Sequence, residues 1–259
     1  MNTTSPPTAL VTGATSGFGA AIARRLTAAG WYVAITGRRA DRLERLAAEL
    51  RTTHGTVVTT LAFDVRNREE TEAAIAHLQD TGTSQLELLV NNAGLALGRS
   101  TLAQGDHTDW DAMLDTNVKG LLYVTRAALP LLRSAQRAHI VNIGSIAGTE
   151  VYPGGNVYCA TKHAVDALSK ALRQELLSDG IRVSQIRPGL AETEFSLVRY
   201  KGDAAKAADV YKGYEALTAA DVADLLMYIV SAPPHVCIND VEITPTAQAN
   251  ALMLHKGAN

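Results

Sequence analysis

Short apolar runs alternate with longer stretches of helical spacing along almost the whole chain, and this alternation leaves few folds open. The apolar runs are Ala9–Val11, Tyr32–Thr36, Val57–Phe63, Leu86–Val90, His139–Ile143, Ile181–Ile186 and Val241–Thr244. Between them the spacing predicts helices from the glycine-rich Thr12–Gly19 stretch to about Ala29, then over Asp41–Arg51, Arg68–Gln79, Asp106–Arg133, Tyr158–Leu177 and Asp221–Val230. Leu43, Leu46, Ala47 and Leu50 show the pattern well, since they fall on one face of the second helix. Asp106–Arg133 reads as one long helix with Pro130 near its end. Gly30 stands where a left-handed residue closes the first helix. Strands apolar on both faces belong to a parallel sheet covered by helices on both sides. The expected class is α/β, a doubly wound parallel sheet of about seven strands.

The chain has 259 residues, enough for one or two domains, but no linker or internal repeat divides it. It is therefore read as one domain over 1–259. The alternation fails over about 189–214, which is the expected substrate loop. A mildly apolar tail, 245–259, either frays or docks on a partner subunit. Lys plus Arg is 24 and Asp plus Glu is 26, so no excess positive charge argues for nucleic acid or an anionic membrane. Two cysteines, Cys159 and Cys237, are too few for a disulfide framework and read as small packing residues. The scattered histidines, His163 among them, show no ligand spacing, so no metal is expected. The start of the chain has no basic and apolar leader, and no run is long enough to span a membrane. A cytoplasmic protein is expected.

Chemistry enters at the turn after the first strand. Thr12–Gly19 contains Gly13, Gly17 and Gly19, spaced so that backbone can approach a pyrophosphate, with Thr15, Ser16 and Phe18 between them. The helix that follows turns its free N–H groups toward such an anion. The spacing is Gly-x-x-x-Gly-x-Gly rather than Gly-x-Gly-x-x-Gly, and it is the place after the first strand of an α/β (Rossmann) pattern that points to a dinucleotide. Where an acidic residue would hold the ribose of NAD, the second strand ends in Arg38 and Arg39. Two guanidiniums suit a 2′-phosphate, and positive charge at a helix start otherwise needs a reason. The cofactor expected is NADP(H).

Tyr158 and Lys162 are four residues apart and share a helix face. A phenol is a poor base at neutral pH, and a neighbouring ammonium is expected to favour the phenolate. Ser145 ends the fifth strand and can hydrogen-bond a substrate oxygen, while Asn117 lies within the long helix.

With these residues in register, the sequence resembles the short-chain dehydrogenases/reductases over essentially its whole length. The resemblance rests on Thr12–Gly19, Asp64-Val65, Asn91-Asn92-Ala93-Gly94, Asn117, Ser145, Tyr158-x-x-x-Lys162 and Pro188-Gly189. It implies that Tyr158 is the acid/base, that Ser145 orients the carbonyl, and that Lys162 holds the nicotinamide ribose. It implies a relay water on Asn117, adenine against Asp64 and Val65, and the adenosine side against Asn92, with Ala93 and Gly94 beside it. Pro188, Gly189 and Thr193 would meet the nicotinamide. It also implies a homotetramer built by helix pairing.

Thr36–Arg39, Asp64–Arg68, Asn91–Gly98, Gly154–Tyr158 and Thr193–Ser196 look like the NADP-dependent 3-hydroxy acid dehydrogenase, serine 3-dehydrogenase and sulfoacetaldehyde reductase branch. That branch takes small substrates with an anionic group, so a cationic clamp is expected. Arg199 is the candidate, with Ser145 and Tyr158 at the reacting carbonyl and Tyr152 and Asn156 adding hydrogen bonds. Arg187 before Pro188, and the short Ala191-Glu192, depart from the malonic semialdehyde reductases where the substrate loop begins. Two other readings stay open. One is a reductase of a neutral or bulkier carbonyl, such as a 3-oxoacyl thioester or a sugar. The other is a noncatalytic NADP(H) sensor, against which the intact Ser145, Tyr158 and Lys162 set argues.

Overall fold

The computed structural model describes residues 6–257. The outermost residues of the one-domain reading, 1–5 and 258–259, lie outside the described residues. Seven strands form one sheet: β1 (Thr8–Val11), β2 (Tyr32–Gly37), β3 (Val58–Ala62), β4 (Leu88–Asn91), β5 (His139–Ile143), β6 (Arg182–Pro188) and β7 (Asp240–Ile243). Their order is β3-β2-β1-β4-β5-β6-β7, and every neighbouring pair is parallel. The order reverses between β1 and β4, and a crevice opens there at the carboxyl ends of the strands.

The strands are buried on both faces because helices cover both. Ala9 and Val11 face α1 (Gly17–Ala28), α2 (Ala40–His54) and α9 (Ala219–Ser231), where Ile22, Leu26, Leu43 and Leu226 fill the layer. Leu10 points the other way, toward Ile75 and Leu78 of α3 (Arg68–Asp80) and Val124, Leu131 and Leu132 of α5 (Leu121–Ser134). Each of these fully buried valine, leucine and isoleucine side chains stabilises the fold by about 1.5–3 kcal/mol. The helix starts follow from local sequence. Asn67 accepts hydrogen bonds from the N–H groups of Glu69 and Glu70, and Thr218 and Asp221 form a reciprocal capping box. Gly30 adopts a φ of +83° just beyond α1, as the sequence predicts.

The helix predicted over Asp106–Arg133 is not regular. It consists of α4 (His107–Leu114), a π-helical turn (Asp115–Gly120) and α5. The turn places Asn117 among buried groups, and such insertions recur at functional sites. The stretch 189–214 is also not a bare loop. It carries α7 (Glu194–Arg199), which Thr193 caps, and α8 (Ala204–Asp209), which Asp203 caps. Local caps rather than amphipathic spacing start both, and each is too short to show a periodic face. Next to the crevice, α6 (Asn156–Glu175) begins two residues before the predicted start.

In its described part the tail does not fray but is hydrogen-bonded back onto the domain, with Leu252 and Met253 left exposed. Gly257 N donates to Gly213 O at 2.8 Å, and Ala251 N to Glu150 Oε2 at 2.6 Å. Gln248, a buried polar residue, accepts from Leu190 N at 2.8 Å.

His139, the first residue of β5, is buried, and its Nε2 lies 2.7 Å from Ser184 Oγ of β6. That hydroxyl donates to Ile238 O at 2.6 Å, so Nε2 carries the proton toward it, and Nδ1 has no partner. Burial, with the Arg182 charge adding to it, pushes the imidazole down to about 3. Between the ordinary histidine value and about pH 3, the unfolded chain binds a proton that the native chain does not. Stability contributed by this group is therefore lost as pH falls through that window, at up to about 1.4 kcal/mol per pH unit. Urea denaturation from pH 7 down to pH 4 is expected to show a shallower acid decline for His139→Gln than for the wild type.

Candidate active site

The crevice holds a cavity of about 1020 Å³ lined from Arg38 and Asp64 at one end to Ser145, Tyr158 and Arg199 at the other. Its floor is the turn between β1 and α1. Gly13 adopts a φ of +66°, and a Cβ there would lie 2.9 Å from Ala93 Cα. A Cβ on Gly19 would lie 2.5 Å from Asn92 Nδ2. Only glycine permits this approach, so the turn lies flat against the segment after β4. Thr12 Oγ1 then accepts from the N–H groups of Asn92 and Ala93, both at 3.0 Å, and Asn92 Nδ2 donates to Thr12 O at 2.8 Å. Asn92 thus braces the turn.

At the start of α1, Ser16 is extended and makes no side-chain cap, and no acidic residue occupies the first turn. Its first N–H groups, with Thr15, Gly17 and Phe18, face the cavity. Arg38 is 58% exposed and only 4.0 Å from Asp64, which is held mainly by Arg66 at 2.6 Å. Arg39 lies along the turn. Its guanidinium donates to Thr15 Oγ1 at 2.7 Å, Ser16 Oγ at 3.0 Å and Glu194 Oε2 at 3.1 Å. Val65 lines the wall beside Asp64, as do Ala93 and Gly94 beyond Asn92, and Pro188, Gly189 and Thr193 on the far side. A glycine cradle, a free helix start and two arginines together fit a phosphorylated dinucleotide.

The reacting end is assembled from β5, α6 and α7. Ser145 follows β5, and its Oγ accepts from Ala147 N at 3.1 Å. Tyr158 and Lys162 lie one turn apart on α6 and are both buried. The expected ammonium beside the phenol takes a different form. Lys162 Nζ donates to Ile143 O at 2.8 Å, and burial pushes it down to about 8. Burial likewise raises the Tyr158 phenol well above its ordinary value, and the neighbouring Tyr152 adds to this. The Ser145 hydroxyl and the Arg199 charge oppose it. The Arg199 guanidinium lies 5.2 Å from the centre of the Tyr158 ring and donates to Tyr152 OH at 2.6 Å. Phe195 packs edge-on to Tyr158 with ring centres 5.7 Å apart.

One predicted residue lies away from the site, and another is engaged by its side chain within the protein. Asn156 does not line the cavity. It begins α6, and its amide donates to Ser100 O at 3.1 Å, because its side chain leaves the helix start away from the crevice. Asn117 spends both amide hydrogens within the protein, on Leu95 O at 2.8 Å and Thr161 Oγ1 at 3.0 Å, and its Oδ1 accepts from Leu95 N. Cys159 is buried and turned from the crevice, as its place one residue after Tyr158 predicts. Glu194 and Gln248 escaped the sequence reading as site residues. Glu194 stands inside a quoted motif without a role, and Gln248 carries no motif. Among the described residues, no group of His, Cys, Asp and Glu is placed to hold a metal, and no helix is long and apolar enough to cross a membrane.

This fold and this cluster define an oxidoreductase built around a dinucleotide crevice. The chain belongs to the short chain dehydrogenase family, whose profile matches residues 7–202. It is 49% identical to a sulfoacetaldehyde reductase of Chromohalobacter salexigens over 92% of this chain and 94% of that one. It is 47% identical to an NADP-dependent 3-hydroxy acid dehydrogenase of Salmonella typhi over 95% and 98%. A solved closed form of serine dehydrogenase complexed with NADP+ superposes with a TM-score of 0.88 at 45% identity, covering 96% of this chain and 99% of that one.

Asn117→Ala strips partners from Leu95 and Thr161 at a buried site. It is expected to cost about 2–4 kcal/mol, read from the urea midpoint at constant slope.

Proposed function

We propose that this chain is an NADP(H)-dependent reductase of small anionic aldehydes, sulfoacetaldehyde or malonic semialdehyde, reversible as a dehydrogenase of hydroxysulfonates, L-serine or other 3-hydroxy acids. One observation carries the reading: a half-buried arginine, Arg199, stands against Tyr158 inside the cavity that also holds Ser145 and the glycine cradle. A guanidinium there binds a carboxylate or sulfonate within a small molecule's reach of the phenol. The relatives named above act on sulfoacetaldehyde, 3-hydroxy acids and serine, which supports the same class.

The cofactor is NADP(H), held by the glycine turn, Arg38 and Arg39 at the phosphates and by Lys162 near the ribose. When bound, it supplies or accepts the hydride at the substrate carbon. Ser145 donates a hydrogen bond to the substrate oxygen and fixes it beside Tyr158. Tyr158, kept protonated by burial, is primed to give a proton to that oxygen during reduction. In oxidation it takes the proton back, so that direction is faster at alkaline pH. Asn117 keeps the Leu95 segment against α6 and thereby shapes the wall beside Lys162. Tyr152 holds Arg199 in place. The stretch 189–214 forms the substrate wall, and the chain works as one NADP(H)-binding domain. A cytoplasmic homotetramer completes the reading. It is supported by the half-exposed Leu114 and Leu122 along the α4–α5 arm, where helices of a second copy would pair.

The test is NADPH and NADH oxidation with sulfoacetaldehyde, malonic semialdehyde, a neutral short aldehyde and an acetoacetyl thioester. Turnover of the charged aldehydes with NADPH is expected, and preference for the thioester would transfer the assignment to the bulkier-substrate alternative. Tyr158→Phe is expected to lower kcat by about 10²–10⁴-fold. Arg199→Ala is expected to raise KM for a charged aldehyde about tenfold more than for a neutral one, the loss of one charge-assisted contact. Equal effects on both would remove Arg199 from the substrate site.

A further inference from the structure

The carboxylate of Glu194 joins two sides of the crevice. It begins α7, on the wall that follows β6, yet its partners lie across the opening. Arg42 Nη1 of α2 donates to Oε1 at 2.7 Å and to Oε2 at 3.0 Å, and Arg39 Nη1 donates to Oε2 at 3.1 Å. Arg39 in turn is fastened to Thr15 and Ser16 of the phosphate turn. Immediately before it, Thr193 lies over Gly17, where a Cβ on that glycine would sit in ordinary contact with the threonine Cβ at 3.4 Å. The far end of α7 is also tied down. Lys201, in a left-handed conformation with φ +52°, reaches Asp109 of α4 at 2.9 Å. Thus α7 is a short strap pinned at both ends, and it carries Arg199 between the pins.

We propose that the Glu194–Arg42 pair, sharing Arg39, is a clasp that closes the crevice over the bound coenzyme and sets how fast the coenzyme leaves. The inference rests on the NADP(H) reading above. The two guanidiniums hold the Glu194 carboxyl below its ordinary range against the opposing effect of partial burial, so the clasp is charged at neutral pH. Both partners are part-exposed, and Glu194 is about 40% exposed, so the pair can open and re-form without disturbing the core. Arg42 lies outside the cavity lining, whereas Arg39 lines it. Arg42 therefore acts on the coenzyme through Glu194 and not by touching it. Charge balance fits as well. Arg38, Arg39 and Arg42 carry one positive charge each, and one carboxylate leaves a surplus for the roughly dianionic 2′-phosphate. Glu194 and Arg42 are positioning residues for retention, and the chemical step is left to Ser145, Tyr158 and Lys162.

The test uses full-length wild type, Glu194→Gln, Arg42→Gln and the double variant. Thermal melting and far-ultraviolet circular dichroism verify folding. Stopped-flow nicotinamide fluorescence gives the NADPH dissociation rate, and steady-state assays give KM for NADPH and for aldehyde. Each single variant is expected to release NADPH roughly fivefold faster or more, as loss of a charge-assisted pair implies. KM for NADPH should rise and KM for aldehyde should change much less. The double variant should release no faster than the singles, because either substitution already opens the clasp. Unchanged release in either single variant overturns the proposal, as do additive effects in the double. Slower release from Glu194→Gln also overturns it, by showing that the carboxylate competes with the 2′-phosphate. If the wild type itself binds no NADPH, the proposed function falls and takes this inference with it. Normal wild-type binding with unaltered variants removes the clasp alone.

Discussion

The close approach of two loops at the strand ends underlies the rest of the site. Parallel strands leave their last N–H and C=O groups facing the crevice, and these must find partners. Thr12 and Asn92 supply them for the loops after β1 and β4. The two segments can lie this near only because Gly13 and Gly19 have no Cβ to collide with Ala93 and Asn92. With the loops joined, the start of α1 is aimed into the crevice, and Arg39 can lie along the turn. A larger side chain at either glycine would push the floor of the cavity apart.

A buried polar chain supports the reacting end in the same manner. Asn91 Nδ2 donates to Thr125 Oγ1 and Asn142 Oδ1, and Asn142 Nδ2 donates to Ser169 Oγ, each at 2.9 Å. This chain links β4, α5, β5 and α6 beneath Ser145, Tyr158 and Lys162. Directional bonds in a low-dielectric interior hold the elements in register more sharply than apolar packing alone. The cost of burial is visible in the two ionisable groups above it, since the phenol is raised and the amine is lowered. Both shifts favour neutral forms, which suits a site that waits for a charged coenzyme and a charged substrate.

Much of the fold was legible because parallel strands buried on both faces leave unbroken apolar runs. All seven runs became strands in one sheet, and the helices between them fell within a few residues of their expected bounds. The π turn at Asp115–Gly120 was not legible, since one inserted residue scarcely alters helical periodicity. Nor were α7 and α8, which are too short to carry a repeating face and depend on single capping residues. Tyr158, Lys162 and Ser145 could be grouped from spacing and motif. Asn156 could not be placed, because a residue at a helix start can point into the crevice or away from it, and hydrogen bonding to Ser100 decides the matter.

The amino-acid order by itself determined the sheet, the glycine turn, the paired arginines and the Tyr158–Lys162 face, because each rests on local spacing or on backbone freedom. The folded chain alone decided which distant charges meet. Arg199 reaches Tyr158 from 41 residues along the chain, and Glu194 reaches Arg42 across 152. The tail likewise turns back onto Gly213 and Glu150. Such meetings depend on how the loops at the strand ends pack against one another, and no local pattern encodes that.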